Sequence, residues 1–415
     1  MNIKIQNSKL EIQNSKLAIT GSKSETNRLL LLQALYPNIT LENVSKSDDS
    51  EVMTKALKNF QLTTSGSQHI DIHHAGTAMR FLTAYFAQKE GSEVVLTGSS
   101  RMKERPIEIL VDALKQLGAD VEYANNYGFP PLNIKGKKIT KNKVTISANV
   151  SSQYISALLL IAPKLENGLE LTLEGEITSM PYIKMTLALL NEVGIETNFE
   201  NNKISVIPKF VIHNSQFTIE SDWSSASYFY SIIALSEIGT QITLSSYKQN
   251  SLQGDSVLVE IYKDFGVNTA FANNNIILKK SKTHNPQPTT HNLKNSPDIA
   301  QTIAVTCFGL GIGCHLTGLH TLKIKETDRL EALKTELTKL GAAVSISNDS
   351  LTLQSSSKIN TDIKIATYQD HRMAMAFAPL ALKTNIIIED AEVVSKSFPT
   401  FWDDLKSIGF NISEI

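Results

Sequence analysis

The 415-residue sequence predicts an α/β protein built from six copies of one structural unit, arranged as two similar halves. Two alternating series of helical segments and the strand-like segments that follow them support this prediction. The copies recur with a period of roughly 70 residues, which is longer than the periods of solenoid repeats. Three copies lie on each side of about residue 221.

The first series consists of amphipathic segments that end in an apolar residue, a glycine and a short alternating strand. The glycine is typical of a helix C-terminus because it tolerates the left-handed conformation that stops a helix. The apolar spacing leaves one face polar, so we expect these helices at the surface. The segments are residues 53–65, 110–123, 186–199, 258–271, 333–346 and 401–415, with Gln61 replacing the glycine in the first.

The second series is almost wholly apolar after a polar opening, which predicts helices buried in a core. These segments are residues 24–35, 76–87, 151–162, 222–235, 297–310 and 370–382. Their openings carry residues that cap helix N-termini well, such as Ser, Asp, Gly-Thr and Pro-Asp. Several openings also carry a base, although the helix dipole disfavours cations there. The bases are Lys23, Arg28, Arg80, His371 and Arg372.

These bases indicate an anion-binding site if the buried helices of each half run parallel. Their free N–H groups and positive dipole ends would then gather at one face of the half. Six ordinary capped core helices with solvated bases are the simpler alternative at this point. The net charge of −1, from 40 basic and 41 acidic residues, gives no global field that would attract nucleic acid or a membrane. Any anion binding is therefore local.

The two cysteines and the N-terminal segment bear on location. Cys307 and Cys314 lie in one apolar run, which predicts buried thiols and favours a reducing cytoplasm. That run is too short and too rich in glycine to predict a membrane span. The first residues alternate apolar and polar side chains and lack a signal-peptide core, so we predict a strand and a turn there and no export.

Five further segments concentrate polar and basic residues near predicted helix starts: residues 98–110, 149–156, 322–333, 367–377 and 393–402. In the third, Glu326 lies between Lys325 and Arg329. A carboxylate beside cations suits proton transfer, and arginine suits bidentate binding of a carboxylate. A solvated basic loop or a salt-bridged helix start remains the alternative for each segment alone.

No sequence motif indicates a metal site or a cofactor site. His73 and His74 are adjacent, but no further spaced His or Cys accompanies them, so we predict a loop pair. Neither a phosphate-binding loop nor a dinucleotide fingerprint occurs in a strand-to-helix context.

Seven motifs together resemble the enolpyruvyl transferases, and among them the EPSP synthase family. They are GSKSETNR (21–28), AGTAMR (75–80), RMKERPI (101–107), SSQY (151–154), KETDRL (325–330), DHRMAM (370–375) and SKSFPTFW (395–402). They occur in the order of the family and cover essentially the whole chain.

The resemblance implies an inside-out α/β barrel fold of two domains, with an active site in the interdomain cleft. Each domain would contain three βαβαββ-type repeats with buried parallel helices. The N-terminal strand would belong to the second domain. The implied domains are residues 22–221, and residues 1–21 together with 222–415.

The implied reaction transfers the enolpyruvyl group of phosphoenolpyruvate to the 5-hydroxyl of shikimate 3-phosphate, by addition and elimination, in the shikimate pathway to chorismate and the aromatic amino acids. The resemblance implies a cytoplasmic monomer without cofactor, metal, nucleic-acid or membrane partner, and a target of glyphosate. Lys23, Asp298 and Glu326 would be catalytic, with Asp298 accepting the hydroxyl proton and Glu326 protonating the methylene carbon.

The resemblance also implies substrate-binding residues, which are assigned by their positions in the motifs. Those implied for shikimate 3-phosphate are Lys23, Ser24, Arg28, Ser151, Ser152, Gln153, Ser179, Asp298 and Lys325. Those implied for phosphoenolpyruvate are Lys23, Gly76, Arg105, Gln153, Arg329, Arg372 and Lys396.

The sequence departs from the family pattern at three positions. Thr321 stands where the family usually has Asn, which puts that substrate contact in question. His74 replaces an Asn and Phe81 replaces a Pro in the loop that lines the phosphoenolpyruvate site in the family. These two changes leave glyphosate sensitivity open, while the presence of Gly76 favours it.

Two alternatives to this function remain. The first is the sister enzyme that acts on UDP-N-acetylglucosamine. That family typically carries a reactive cysteine on a mobile loop, and neither Cys307 nor Cys314 lies in such a loop. The second is a non-catalytic anion-binding protein, against which the presence of both Asp298 and Glu326 argues.

Overall fold

The computed structural model describes residues 1–7, 15–62, 66–149, 151–177, 180–283 and 287–415. Helices and strands are interspersed along the described chain. The α-helices are α1 (Lys23–Leu35), α2 (Asp48–Leu62), α3 (Gly76–Gln88), α4 (Glu108–Gln116), α5 (Ser152–Ile161), α6 (Met180–Glu192), α7 (Trp223–Leu235), α8 (Leu258–Ile261), α9 (Ala300–Leu310), α10 (Arg329–Lys339), α11 (His371–Phe377) and α12 (Phe401–Ser407).

The strands are short, with three to six residues each. They are β1 (Ile3–Gln6), β2 (Ser15–Leu17), β3 (Ile39–Glu42), β4 (Gln68–Asp71), β5 (Glu93–Thr97), β6 (Asp120–Tyr123), β7 (Leu132–Lys135), β8 (Lys143–Ser147), β9 (Leu169–Glu174), β10 (Thr197–Glu200), β11 (Lys203–Val206), β12 (Ser215–Thr218), β13 (Gln241–Ser245), β14 (Val267–Ala272), β15 (Asn275–Lys280), β16 (Thr289–Asn292), β17 (Cys314–Thr317), β18 (Val344–Ile346), β19 (Ser350–Leu353), β20 (Ile363–Ile365), β21 (Ile386–Ile388) and β22 (Asn411–Glu414).

The chain divides into two compact units. The first, which we call the N-terminal unit, is Gly21–Ile219; the second, the composite unit, combines Met1–Thr20 with Glu220–Ile415. The division lies one or two residues from the boundaries implied by the resemblance.

The sheets repeat one strand pattern. In five four-stranded sheets a parallel pair is followed by two antiparallel strands: β4-β5-β7-β6 and β8-β9-β11-β10 in the N-terminal unit, and β2-β13-β15-β14, β16-β17-β19-β18 and β20-β21-β1-β22 in the composite unit. A sixth sheet, as far as the chain is described, is the parallel pair β12-β3. Each unit thus contains three related sheets, and the predicted α/β repeat is confirmed.

Some strands pair far from their neighbours in sequence. Strand β2 directly precedes α1, but it pairs with β13 after α7; β12 directly precedes α7, but it pairs with β3 after α1. Strand β1 lies between β21 and β22 near the other end of the chain. The two units therefore share a chain that crosses between them at residues 20–21 and 219–220.

The two predicted helix series differ in burial as expected. In α7 every residue except Ser224 is buried, and in α1 the whole run from Glu25 to Leu32 is buried. The surface helices end as predicted at glycines with positive φ: Gly118, Gly194, Gly266, Gly341 and Gly409. One helix is shorter than its pattern suggests, since only α8 and a preceding 3₁₀ turn form in residues 254–261. Among the described residues, no helix combines the length and apolar character needed to cross a membrane.

Candidate active site

The predicted site residues fall into two groups, one in each unit. The first, which we call the acid–base cluster, lies in the composite unit and contains Asp298, Lys325, Glu326, Arg329, Asp370 and Arg372. The second group, which we call the basic cluster, comprises the predicted site residues of the N-terminal unit at or near helix starts: Lys23, Gly76, Arg105, Ser151, Ser152 and Gln153.

Asp298 lies at the centre of the acid–base cluster, two residues before α9. Its Oδ1 accepts from Arg329 Nη1 at 2.9 Å, and its Oδ2 accepts from Arg372 Nη2 at 3.1 Å. Lys325 Nζ lies 3.6 Å from Oδ1. One carboxylate thus contacts three cations, from the starts of two helices and the loop before one of them.

Arg329, the first residue of α10, joins three carboxylates. Besides Asp298, its guanidinium donates to Asp370 Oδ2 from Nε at 2.6 Å and to Glu326 Oε2 from Nη2 at 2.8 Å. The side chain is only 2% exposed. Burial alone would lower the pKa of Arg329, but the attraction of the three carboxylates outweighs it and raises the pKa. Arg329 is therefore a permanently charged anchor for both candidate proton carriers.

Arg372 is held at the start of α11. Asp370 caps this helix by accepting from the Arg372 backbone N–H at 2.9 Å, and the Arg372 side chain reaches Asp298 and the Ser224 hydroxyl. Burial alone would lower the pKa of Arg372, but nearby anions, Asp298 first among them, raise it well above its usual value. The guanidinium remains charged, and its buried Nε has no hydrogen-bond partner among the described residues.

The loop before α11 has an unusual backbone. Tyr368 and Gln369 both have positive φ, 53° and 55°, a conformation that costs free energy in residues other than glycine. The Tyr368 hydroxyl donates to Glu336 of α10 at 2.6 Å, and Lys396 Nζ donates to the Gln369 carbonyl at 2.7 Å. The predicted site residue Lys396 thus lies against the loop that carries Arg372.

A further carboxyl that the sequence did not point to lies beside Arg372. Asp255 is buried and accepts a hydrogen bond from the Ser224 hydroxyl, which itself accepts from Arg372 Nη2 at 3.3 Å. Burial, with the nearby charge of Asp298, raises the pKa of Asp255 to about 7. The sequence gives little local indication that Asp255 belongs to the site, because its segment Gln253-Gly254-Asp255 has no basic neighbour.

In the basic cluster, the starts of α3 and α5 are joined directly. Gln153 Nε2 donates to the Thr77 hydroxyl at 3.2 Å, and Ser151 caps α5 by accepting from the Gln153 N–H. Arg105 lies against Gly76 so closely that a Cβ there would be 2.6 Å from Nη1. At the start of α1, Lys23 Nζ lies 3.8 Å from Asp49 Oδ2.

Two arginines predicted near helix openings have buried side chains. Arg28 lies in the second turn of α1, where Nε donates to Thr186 at 2.8 Å and Nη2 donates to Ser156 at 3.0 Å. Burial lowers the pKa of Arg28 to about 10, and burial with the charge of Arg105 lowers the pKa of Arg80 to about 10. Both stay protonated at neutral pH.

The residues that depart from the family pattern differ in environment. Phe81 is fully buried, and the Arg28 guanidinium lies 5.5 Å from its ring centroid. The Thr321 hydroxyl is buried without a hydrogen-bond partner among the described residues. Pro106 lies two residues before α4, and its carbonyl accepts from the Arg80 guanidinium and the Tyr154 hydroxyl.

The other candidate residues lie in different surroundings. Ser179 lies outside the described residues. Ser24 is half-buried, and its carbonyl accepts from Arg28 Nη1 at 2.8 Å. Ser152, the first residue of α5, is buried. His73 has a positive φ and lies in a turn, as predicted for a loop pair.

Among the described residues, neither a metal-ligand grouping nor the surface pocket beside α2 coincides with the clusters. Within the described part of the chain, no three His, Cys, Asp or Glu residues are grouped so as to hold a metal ion. A pocket of about 480 Å³ between α2 and β4 is lined by none of the residues of the two clusters.

Comparison with known proteins gives one consistent result. Residues 8–405 match the family model described as EPSP synthase (3-phosphoshikimate 1-carboxyvinyltransferase). The chain is 47% identical to the 3-phosphoshikimate 1-carboxyvinyltransferase of Bacteroides fragilis strain YCH46, covering 94% of each chain. It is 37% identical to the protein of that name from Haemophilus influenzae strain Rd, covering 93% of this chain and 94% of the other.

Solved structures show the same fold at lower identity. EPSP synthase from Acinetobacter baumannii aligns over all of both chains with a TM-score of 0.81 and 21% identity. The enolpyruvyl transferase NikO from Streptomyces tendae aligns over 99% of this chain and 98% of its own, with a TM-score of 0.74 and 12% identity.

Proposed function

The chain belongs to the EPSP synthase (3-phosphoshikimate 1-carboxyvinyltransferase) family, and on this premise we propose how its residues carry out the reaction. The enzyme transfers the enolpyruvyl group of phosphoenolpyruvate to the 5-hydroxyl of shikimate 3-phosphate and releases phosphate. The product is 5-enolpyruvylshikimate 3-phosphate, an intermediate of the shikimate pathway. The observation that carries the proposed mechanism is the contact of Asp298 with three cations beside a second carboxyl, Glu326.

Both substrates carry a phosphate and a carboxylate, so the site needs several local cations. In the acid–base cluster Arg329 and Arg372 bind phosphoenolpyruvate, and Lys325 binds shikimate 3-phosphate. The unpartnered Nε of Arg372 supports this assignment, because a buried donor without an acceptor is unfavourable until a ligand supplies one.

The basic cluster supplies the remaining ligand contacts. Lys23, Gln153, Gly76 and Arg105 bind phosphoenolpyruvate, while Lys23 and Gln153 also contact shikimate 3-phosphate. Ser24, Arg28, Ser151, Ser152 and Ser179 complete the shikimate 3-phosphate set. Arginine suits such sites because its planar donors match phosphate and carboxylate oxygens, and the N-termini of α3 and α5 add backbone donors.

Asp298 accepts the proton of the attacking hydroxyl, and Glu326 delivers a proton to the methylene carbon, which gives the tetrahedral intermediate. In the elimination, a proton leaves the methyl carbon for Glu326, which now acts as the base, and phosphate departs as the carbon–carbon double bond re-forms. The Asp298 oxygens are occupied by Arg329 and Arg372 in the structure. Anionic substrates that attract Lys325 and offer Arg372 a new acceptor would free an oxygen of Asp298 for the hydroxyl.

The domains, assembly state and location complete the proposal. Residues 22–221 form one domain, and residues 1–21 with 222–415 form the other. The enzyme acts as a monomer in the cytoplasm. Two buried free thiols, Cys307 and Cys314, suit a reducing compartment.

Phosphate release from phosphoenolpyruvate tests the proposed function. We expect release with shikimate 3-phosphate as the acceptor and none with UDP-N-acetylglucosamine. Absence of release with shikimate 3-phosphate would overturn the proposal, and binding of both substrates without release would indicate a non-catalytic anion-binding protein.

A further inference from the structure

One nitrogen of Arg372 is shared between two acceptors on different elements. Nη2 donates to Asp298 Oδ2 at 3.1 Å and to the Ser224 hydroxyl at 3.3 Å. The Ser224 hydroxyl in turn donates to Asp255 Oδ2. Arg372, Ser224 and Asp255 thus form a hydrogen-bonded chain that joins the start of α11 to the start of α7 and to the 3₁₀ turn Gly254–Val257.

The donor and acceptor roles in this hydrogen-bonded chain depend on Asp255. A serine hydroxyl both donates and accepts, and its proton rotates to the best available acceptor. Because Asp255 accepts that proton, a lone pair of the Ser224 oxygen is turned toward the guanidinium. Without an acceptor at position 255 the hydroxyl would be free to rotate, and Arg372 would lose a defined partner.

The contact of Arg372 with Ser224 matters because its other acceptor, Asp298, takes part in the proposed chemistry. Asp298 holds Arg372 in the structure, but a base that turns toward the attacking hydroxyl leaves that contact. Of the two acceptors of Arg372 Nη2, the Ser224 hydroxyl, which Asp255 orients, would then remain. A displacement of one ångström in a substrate-binding group is enough to cost much of the rate.

The charged groups around Asp255 indicate that this residue does more than fill space in the core. It is only 7% exposed, and the charged groups that act on it are Asp298, Arg372 and Asp222, the N-cap of α7. Burying a carboxyl beside other carboxyls costs free energy. Packing alone therefore does not explain an aspartate at position 255.

We propose that Asp255 is a positioning residue that fixes the Arg372 guanidinium through the Ser224 hydroxyl and so sets the affinity for phosphoenolpyruvate. This inference rests on the proposed function, because it takes Arg372 as a ligand of that substrate. It assigns a role to Asp255 and Ser224, which the sequence motifs did not single out.

Steady-state kinetics of four variants test the inference. Loss of a hydrogen bond to a charged group is expected to raise KM for phosphoenolpyruvate by about tenfold in both Asp255→Ala and Ser224→Ala. KM for shikimate 3-phosphate should stay within about twofold, since Arg372 does not bind it. Asp255→Asn keeps an oxygen that accepts from Ser224, so it should restore most of the affinity. The double variant should be no worse than Ser224→Ala, because the residues act in series.

The matched control is Asp264→Ala, which removes an exposed carboxylate from the same unit and should change neither constant. The inference is overturned if Asp255→Ala leaves KM for phosphoenolpyruvate unchanged, if both constants rise equally, or if the two single effects add. If Asp255→Ala does not fold, Ser224→Ala and Asp255→Asn decide the question. Turnover by the wild type reports on the proposed function separately, so an inactive wild type and an unaffected variant are different results.

Discussion

Arg329 and Asp370 form a buried ion pair in which Nε and Oδ2 lie 2.6 Å apart and neither side chain is more than 2% exposed. Arg329 begins α10, and Asp370 caps α11. The pair therefore joins the helix that carries Arg329 to the helix that carries Arg372. Two charges withdrawn from water in this way stabilise the fold only as long as both are present.

Asp370→Asn should lower the free energy of unfolding by about 3 kcal/mol, because it leaves part of the buried Arg329 charge uncompensated. The amide still has an oxygen that can cap α11, so the loss reports mainly on the charge. Urea unfolding measures it. Asp403→Asn, at an exposed position in α12, is the control and should change the free energy by less than about 0.5 kcal/mol. Equal losses in the two variants would contradict the role of the ion pair.

Glu326→Gln should bind both substrates with nearly normal affinity and lower kcat by about a hundredfold or more, since it removes the proposed proton donor to carbon. The fold should survive, because Glu326 is one-third exposed and Arg329 keeps two other carboxylates. Equilibrium binding and turnover are measured separately. Glu331→Gln, on the exposed face of α10, serves as the control. A normal kcat in Glu326→Gln would remove this residue from the mechanism.

Gly76→Ala should weaken phosphoenolpyruvate binding. The new Cβ would lie 2.6 Å from Arg105 Nη1, so the Arg105 side chain must move away from the position it holds. We expect KM for phosphoenolpyruvate to rise by about tenfold, which is the effect of losing about 1.4 kcal/mol of binding. KM for shikimate 3-phosphate should stay unchanged. Unchanged values for both substrates would mean that Arg105 moves without loss or does not bind phosphoenolpyruvate.

The raised pKa of Asp255 predicts a pH dependence of stability. Its pKa is about 7 in the folded protein against 3.8 for an unperturbed carboxyl, so between these values the folded state binds a proton that the unfolded chain has released. Stability from this group is therefore complete below pH 3.8 and falls as the pH rises toward 7. Between pH 5 and pH 8 the wild type should lose roughly 3 kcal/mol relative to Asp255→Asn. Urea unfolding of both proteins at the two pH values measures the difference, and parallel curves would contradict it.

Much of the fold was predictable because each repeat carries local signals. Apolar runs, capping residues and helix-ending glycines act within a few residues, and all five predicted glycines have positive φ. The acid–base residues were predictable because they lie in short motifs at helix starts. The position of Arg28 was not, since its partners Ser156 and Thr186 are 128 and 158 residues away.

The same reason explains why Asp255 and Ser224 were missed. Ser224 lies 148 residues from Arg372 in sequence, and the two meet only because α7 and α11 pack in one core. The positive φ values of Tyr368 and Gln369 were equally hidden, because nothing in those residue types signals a left-handed backbone. Tertiary hydrogen bonds to Glu336 and Lys396 maintain that conformation.

The placement of β1 between β21 and β22 has a consequence for synthesis on the ribosome. The partners of β1, Ile386–Ile388 and Asn411–Glu414, are translated hundreds of residues after it. At about 5–20 residues per second, strand β1 waits on the order of tens of seconds with unpaired backbone edges. The nascent chain is exposed to aggregation during that delay, so chaperone binding early in translation should matter more for the yield of this protein than for one with local strand pairing.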